Sequence, residues 1–131
     1  MEQAAVDQIN GRIRAGLLED CGDCDLIVEA VLEEMAVKKE TFKTLDAIAK
    51  PECVFASNTS SLSITEIARG LTHPLVGMHF FNPAPIMKLV EVIPGLSTPP
   101  EVVKQVIDIA ISLGKTPVEV KESAGFVVNR I

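Results

Sequence analysis

The chain has 131 residues, a formal net charge of −6 and a 47% share of apolar residues. This length supports one domain with a real core, and the apolar share excludes a disordered chain. The negative charge argues against nucleic acid or an anionic membrane as the main partner. No apolar run approaches the roughly 20 residues of a membrane span, and the acidic start of the chain lacks the basic region of a signal peptide. The sequence therefore predicts a cytoplasmic protein.

Short apolar runs alternate with helical patterns, which is typical of a parallel sheet covered by helices. Strands are predicted over residues 25–31, 53–56, 74–81, 89–93 and 117–120, the first of them buried and the last at an edge. Helices are predicted around Val6, Ile9 and Ile13, over about 35–49 with Phe42 and Leu45 inward, from Ser63 to Gly70, and from Thr98 to Gly114. These patterns indicate an α/β fold.

Two of these helices begin with a capping-box pattern, Ser63-Ile64-Thr65-Glu66 and Thr98-Pro99-Pro100-Glu101. In such a box the first side chain accepts a hydrogen bond from the backbone three residues later. Pro99 would take the first helical position, where a missing N–H does little harm. The side chains expected to point inward from this second helix are Val102, Val106, Ile109, Ala110 and Leu113.

The segment from Gly77 to Pro85 carries the clearest functional signal. It places His79, one of two histidines, at the end of a predicted strand, and Glu91 lies among apolar residues in the next. A buried carboxylate is unfavourable unless a partner compensates it, and a histidine can be that partner. We therefore predict that His79 and Glu91 form a pair, either as a catalytic dyad or as a core histidine bonded to an acid.

Other polar residues follow the predicted strands. Asn58, Ser60 and Asn82 come just after strand ends, where ligands of open α/β sheets bind. Each of them could equally be a turn former that bonds to its own backbone. Glu33 and Lys38 stand at the start of a predicted helix, where a solvated surface charge is the alternative interpretation.

Two further kinds of site have weaker support. Ser60, His79 and Glu91 suggest a hydrolase triad, but no Gly-x-Ser-x-Gly motif surrounds the serine. Cys21-Gly22-Asp23-Cys24 matches C-x-x-C, but no second pair or suitably spaced histidine completes a zinc site. We expect reduced thiols beside a strand, and no metal.

Five blocks of sequence, in order, resemble the 3-hydroxyacyl-CoA dehydrogenase family, and most closely its bacterial 3-hydroxybutyryl-CoA branch. The blocks are residues 23–31, 55–64, 77–85, 88–93 and 124–130, so the resemblance runs from about Cys21 to the end. It implies the second half of a Rossmann-like NAD-binding domain over residues 1–122 and the start of a helical dimerisation and substrate domain over 123–131. The activity implied is that of an NAD-dependent (3S)-3-hydroxyacyl-CoA dehydrogenase of fatty acid β-oxidation or butanoate metabolism.

The resemblance also implies roles for individual residues. His79 would be the general acid/base, and Glu91 would orient it. Ser60 and Asn129 would complete the catalytic set by binding the acyl-CoA substrate near its reacting oxygen and thioester. The residues implied on the nicotinamide-ribose side of NAD are Glu33, Lys38, Asn58, Ser60 and Asn82.

The chain departs from the family in one respect that matters for function. None of its eight glycines forms the Gly-x-Gly-x-x-Gly motif that would hold the pyrophosphate. We expect an internal piece of an enzyme, lacking the first βαβ unit and the C-terminal helical domain through which the parent would form a homodimer. The first strand should then have an exposed edge. The alternative is a non-catalytic relic, or a structural or binding module of the same family.

Overall fold

The computed structural model describes residues 2–122, so the prediction of a second domain over 123–131 lies outside the described residues. In these residues five strands form one sheet, in the order β1-β2-β3-β4-β5. No helix within 2–122 is both long enough and apolar enough to cross a membrane. The elements are α1 (Gln3–Asn10), a 3₁₀ helix (Leu18–Asp23), β1 (Leu26–Glu29), α2 (Met35–Ile48), β2 (Val54–Ser57), α3 (Ile64–Ala68), β3 (Leu75–Phe80), β4 (Leu89–Pro94), α4 (Pro100–Ser112) and β5 (Thr116–Glu119).

One strand runs against its neighbour. β1, β2 and β3 pair in parallel, as do β4 and β5, but β4 is antiparallel to β3. The α/β class is confirmed, and the sheet is mostly parallel, with one antiparallel step that the sequence did not predict. Only residues 81–88 connect β3 to β4, and a parallel crossover needs about a dozen residues or more. The antiparallel step places His79 directly opposite Glu91 in the register.

Apolar side chains cover both faces of the sheet. One cluster lies between the strands and the pair α2 and α3, and it contains Ile27, Phe42, Leu45, Phe55, Ile64, Ile67, Leu75 and Ile93. The other lies between the strands and α4, and it contains Val54, Ala56, Val76, Met78, Val90, Val92, Val102, Val103, Val106 and Ala110. Burial on both faces explains why the strands read as nearly continuous apolar runs.

The approach of α3 to the sheet depends on Gly77 in β3. A Cβ atom at this position would lie 2.9 Å from both Ile64 Cδ1 and Ile93 Cβ, which is closer than packed atoms tolerate. α3 begins with the predicted cap, since the Ser63 hydroxyl accepts a hydrogen bond from the Glu66 amide at 3.1 Å. The helix therefore lies directly on the strand that carries His79.

β1 forms an edge of the sheet, because among the described residues it pairs only with β2. Ile27 and Glu29 are buried, whereas Val28 between them is 42% exposed. The prediction of an exposed edge is confirmed, but the prediction of a continuously buried strand is wrong. The reason is that α4 packs against β3, β4 and β5 and leaves the Val28 face of β1 open.

Three predictions at helix ends are also wrong. α1 buries no side chain and ends at Asn10, so Ile13 lies outside it and is 69% exposed. Leu113 follows the end of α4 and is 59% exposed. Thr98 does not cap α4, because the helix begins one residue later with Pro99 as its N-cap. The Thr98 hydroxyl instead donates to a backbone carbonyl of β3.

His73 is a buried histidine held by two hydrogen-bond acceptors. Its Nδ1 lies 2.5 Å from Asp46 Oδ1, and its Nε2 lies 2.8 Å from the Lys50 carbonyl oxygen. A carbonyl oxygen only accepts, so Nε2 carries a proton, and the carboxylate favours a second proton on Nδ1. Burial alone would lower the pKa of His73, but its hydrogen bonds to Asp46 and Lys50 outweigh burial and raise the pKa. Both ring nitrogens of His73 thus face acceptors, an arrangement that favours the imidazolium form.

This arrangement predicts a loss of stability as the pH rises above 6.5. The pKa of His73 in the folded protein lies above its unfolded value of 6.5. Its contribution is therefore complete below that value and is lost as the pH rises through the folded pKa. We expect the free energy of unfolding, measured by urea titration, to fall across this range. The variant His73→Gln should lack this fall, and an equal fall in the variant would contradict the assignment.

Candidate active site

Polar residues gather at the carboxyl ends of β1, β2 and β3, on the sheet face that α2 and α3 cover. Glu29 lies opposite Ser57 in the register, and Ser57 lies opposite Gly77. Because side chains alternate along a strand, His79 shares the face of Gly77, two residues further along. The fold thus collects polar side chains from neighbouring strands at one edge of the sheet.

His79 and Glu91 are in direct contact, as the sequence predicts. His79 Nδ1 lies 2.9 Å from Glu91 Oε1, and both residues are buried. The carboxylate only accepts hydrogen bonds, so Nδ1 carries the proton and the lone pair of the neutral imidazole is on Nε2. The Phe81 ring packs against the imidazole, with ring centroids 4.5 Å apart. The histidine therefore has a defined tautomer and ring orientation.

Asn58 ties the ends of two strands together. Its Oδ1 accepts a hydrogen bond from the Phe80 amide at 2.8 Å, and its backbone N–H donates to the Glu29 carbonyl at 2.9 Å. The side chain therefore bonds to a neighbouring strand and not to its own backbone, as a simple turn former would. Asn82 follows β3, is exposed, and is joined to Pro83 by a cis peptide bond.

Glu33 organises the loop that follows β2. Its Oε2 lies within 3.3 Å of five N–H and O–H groups of Thr59, Ser60 and Ser61. Burial raises the pKa of Glu33, but hydrogen bonds from Thr59, Ser60 and Lys38 outweigh it and lower the pKa to about 2. The side chain is still 38% exposed. Glu33 is thus a charged carboxylate that is fixed by the loop and accessible from solvent.

Ser60 contacts this acid. Its amide and hydroxyl lie 2.8 Å and 3.1 Å from Glu33 Oε2. A nucleophilic serine needs an effective base at its hydroxyl, and Glu33, whose pKa is lowered to about 2, is a weak one, so this contact adds no support to the hydrolase interpretation. Asn129, the other predicted substrate contact, lies outside the described residues.

Lys38 is buried, with 1% of its surface exposed, so it is not a solvated surface charge. Its Nζ lies 2.5 Å from Glu29 Oε2 and 3.3 Å from Glu33 Oε1. Glu29 is itself 3% exposed, and its Oε1 accepts a hydrogen bond from Ser57 Oγ at 2.5 Å. An ammonium group between two carboxylates thus links α2 to the ends of β1 and β2.

Glu29 is the residue of this site that the sequence reasoning misses. The signal is present, because Glu29 stands within the apolar run 26–31 much as Glu91 stands within Leu89–Pro94. A buried carboxylate requires a compensating partner. The same argument that pairs Glu91 with a histidine therefore demands a cation for Glu29, and Lys38 is that cation.

The three cysteines are free thiols that pack at the edge of the core. Cys53 is buried, and Cys21 and Cys24 lie partly buried against the same cluster. Burial raises the pKa of Cys21 and of Cys53, which keeps these thiols protonated and unreactive. Within 2–122, no group of three or more histidine, cysteine or acidic side chains is arranged to hold a metal ion.

The accessible polar groups suit one part of a dinucleotide. Glu33, Ser60 and Asn82 present a carboxylate, a hydroxyl and an amide beside the carboxyl ends of parallel strands, where ligands of such sheets bind. These groups can exchange hydrogen bonds with ribose hydroxyls and a carboxamide. The sequence contains no glycine-rich turn for a pyrophosphate. The residues present therefore fit the nicotinamide-ribose end of NAD.

Comparison with known proteins identifies a family of NAD-binding domains. Residues 1–123 match the family described as "3-hydroxyacyl-CoA dehydrogenase, NAD binding domain". The 3-hydroxybutyryl-CoA dehydrogenase of Clostridioides difficile is 54% identical over 115 residues, which are 86% of this chain and 41% of that protein. The mitochondrial hydroxyacyl-coenzyme A dehydrogenase of Homo sapiens is 50% identical over 109 residues, which are 82% of this chain and 35% of that protein.

A solved structure shows the same fold. The crystal structure of 3-hydroxybutyryl-CoA dehydrogenase from Escherichia coli matches with a TM-score of 0.94 at 41% sequence identity, over 99% of this chain and 28% of that one. The chain thus spans less than half the length of each of these three proteins. Its sequence and its fold nevertheless agree over nearly the whole of residues 1–123, and the chain belongs to the family of 3-hydroxyacyl-CoA dehydrogenase NAD-binding domains.

Proposed function

We propose that this chain supplies the proton-transfer pair and the nicotinamide-ribose contacts of an NAD-dependent (3S)-3-hydroxyacyl-CoA dehydrogenase. The observation that carries the proposal is the buried contact between His79 Nδ1 and Glu91 Oε1 at 2.9 Å. Oxidation of a 3-hydroxyl requires a base that takes the hydroxyl proton as hydride leaves carbon 3. A histidine with a defined tautomer is suited to that task.

His79 acts as the general base in the direction of oxidation. Its Nε2 accepts the proton of the 3-hydroxyl, and the imidazolium that forms is stabilised by the Glu91 carboxylate at Nδ1. The chemistry that bound NAD supplies is acceptance of the hydride from carbon 3. The alcohol thus loses one hydride and one proton and becomes a ketone. In the reverse direction the imidazolium returns the proton to the 3-oxo oxygen.

The residues around the dyad bind and orient. Glu33 and Asn82 are exposed at the carboxyl ends of the strands and serve the ribose and carboxamide of NAD. Asn58 Oδ1 is already bonded to β3, so its Nδ2 is the group that serves the cofactor. Ser60 stands between the cofactor and the substrate oxygen and, with Asn129, binds the substrate. Lys38 also lies on the nicotinamide-ribose side of the cofactor, behind Glu33.

The substrate class is an acyl-CoA thioester with a hydroxyl group on carbon 3. The Clostridioides difficile relative is named for such a substrate, 3-hydroxybutyryl-CoA. We infer a role in β-oxidation or butanoate metabolism in the cytoplasm and, for the parent enzyme, a homodimer formed through its C-terminal helical domain. The net charge of −6 agrees with the absence of a nucleic-acid or membrane partner.

A hybrid enzyme tests the proposal. In this hybrid, the aligned part of our chain replaces the matching 115 residues of the Clostridioides difficile relative. Oxidation of (S)-3-hydroxybutyryl-CoA is followed by the absorbance of NADH. We expect turnover that depends on NAD, because the chain contributes the dyad and the loop that Glu33 holds. A hybrid that folds and binds NADH but shows no turnover would contradict the proposal.

The 131-residue chain alone is expected to bind NAD weakly and to show no dehydrogenase activity. The reason is that a glycine-rich turn at a helix N-terminus normally binds the pyrophosphate, and the sequence contains none. We expect a Kd above about 1 mM by isothermal titration. The hybrid enzyme, which regains such a turn, is the positive control. A micromolar Kd for the chain alone would refute this expectation.

A further inference from the structure

Glu29 occupies an unusual position for an acid, because it is buried on an edge strand. Its carboxylate is 3% exposed and is bonded on both oxygens. Oε1 accepts from Ser57 Oγ, and Oε2 accepts from the Val31 amide at 2.9 Å and from Lys38 Nζ. These bonds hold the carboxylate in one orientation.

Lys38 lies between Glu29 and Glu33 and contacts both carboxylates. An ammonium group has three protons, and three acceptors of the chain surround Nζ. Glu29 Oε2 lies at 2.5 Å, the Val31 carbonyl oxygen at 3.2 Å and Glu33 Oε1 at 3.3 Å. Because Lys38 is also 1% exposed, its charge acts mainly on Glu33.

The two carboxylate oxygens of Glu33 have different partners. Oε1 faces Lys38, and Oε2 receives the loop groups of Thr59, Ser60 and Ser61. The position of the Ser60 loop therefore depends on the orientation of Glu33, and that orientation depends on the ammonium group behind it. The chain of contacts begins at Glu29, which fixes the ammonium group.

We propose that Glu29 is a positioning residue, which through Lys38 sets the orientation of Glu33 and of the Ser60 loop for the nicotinamide-ribose end of the cofactor. Only the statement about the cofactor rests on the proposed function, and the link from Glu29 to the loop does not. Without the charge of Glu29, the ammonium group keeps one carboxylate, Glu33, and is drawn towards it. Glu33 then turns from the loop, and the loop loses its shared acceptor.

The first test uses the full chain and needs no cofactor. In Glu29→Gln, the amide signals of Ser60 and Ser61 in a ¹⁵N–¹H NMR spectrum should shift, and these amides should exchange with solvent faster. The matched control is Asp25→Asn, which removes the ion pair of Asp25 with Lys50 at the opposite end of β1. If the Ser60 and Ser61 amides respond alike in both variants, or in neither, the inference is wrong.

The second test uses the hybrid enzyme. Glu29→Gln should raise the KM for NAD about tenfold, since it weakens a hydrogen bond to a charged group. Glu29→Asp restores the charge and should recover part of the loss. In a Glu33→Gln background, Glu29→Gln should add little, because the two residues act in series.

The outcomes separate the two proposals. A shift of the loop amides together with a raised KM for NAD supports the positioning role. Shifted amides with an unchanged KM for NAD overturn it, as does a Glu29→Gln effect of full size in the Glu33→Gln background. A hybrid without turnover, combined with shifted loop amides, contradicts the dehydrogenase function but leaves the link from Glu29 to the loop established.

Discussion

Replacing His79 by glutamine is expected to lower the kcat of the hybrid enzyme by about 10²- to 10⁴-fold, with little change in the KM for NAD. Glutamine can still donate to Glu91 Oε1, where His79 Nδ1 lies at 2.9 Å, but it cannot take up a proton. Among residues 2–122, Glu91 Oε2 has no hydrogen-bond partner. Alanine would leave this buried acid without compensation and would mix a folding defect with the catalytic one. Steady-state kinetics with (S)-3-hydroxybutyryl-CoA measure the effect.

The control for this variant is the other histidine of the chain. His73 is bonded to Asp46 just before the start of β3, whereas His79 lies near the end of the same strand. We expect His73→Gln to keep the kcat of the unmodified hybrid under conditions in which both are folded. The role of His79 would be refuted if His79→Gln lost less than about tenfold, or if both variants lost equally.

Replacing Lys38 by methionine is expected to destabilise the chain by about 3–5 kcal/mol, the usual cost of removing one partner from a buried ion pair. The substitution keeps most of the side-chain volume but leaves the carboxylate of Glu29, which is 3% exposed, without its cation. Ser57 and Val31 still donate to that carboxylate, but neither neutralises it. Urea unfolding followed by circular dichroism measures the change.

Lys39→Met is the matched control, because it removes the neighbouring charge on the same helix. Lys39 pairs with Glu66 at 2.7 Å, and both side chains are 36% exposed, so we expect a loss of about 0–1 kcal/mol. The double variant Glu29→Gln/Lys38→Met should be more stable than Lys38→Met, because it removes the unpaired charge. Equal losses of unfolding free energy in Lys38→Met and Lys39→Met would show that the buried ion pair stabilises the fold no more than the exposed one.

Local patterns in the sequence predict the elements of this fold well. Apolar runs bounded by turn residues indicate the strands, and the Ser63 cap indicates the start of α3, because both depend on neighbours in sequence. The patterns fail at Val28 and Leu113, which are apolar and exposed. Whether an apolar residue is buried depends on which helix packs over it, and that packing is not encoded in the local pattern.

The residues of the candidate site also fall into two groups, those that the sequence predicts and those that only the packing reveals. His79 and Glu91 can be paired from sequence, since a buried acid requires a compensating partner and a histidine lies in the preceding strand. The pair of Glu29 and Lys38 is not predicted, although Glu29 also lies in an apolar strand and requires a compensating partner. Lys38 reads as a surface residue of a helix, and only the packing of α2 against β1 shows that its ammonium group is buried.

By itself, the sequence determined which groups are available and that two acids in apolar strands require compensation, because an unpaired charge is too unfavourable in a core. Only the tertiary structure decided the partners. The antiparallel register of β3 and β4 brings His79 to Glu91, and the contact of α2 with the ends of β1 and β2 brings Lys38 to Glu29. Distances between strands and helices are set by register and packing, and spacing along the chain does not contain them.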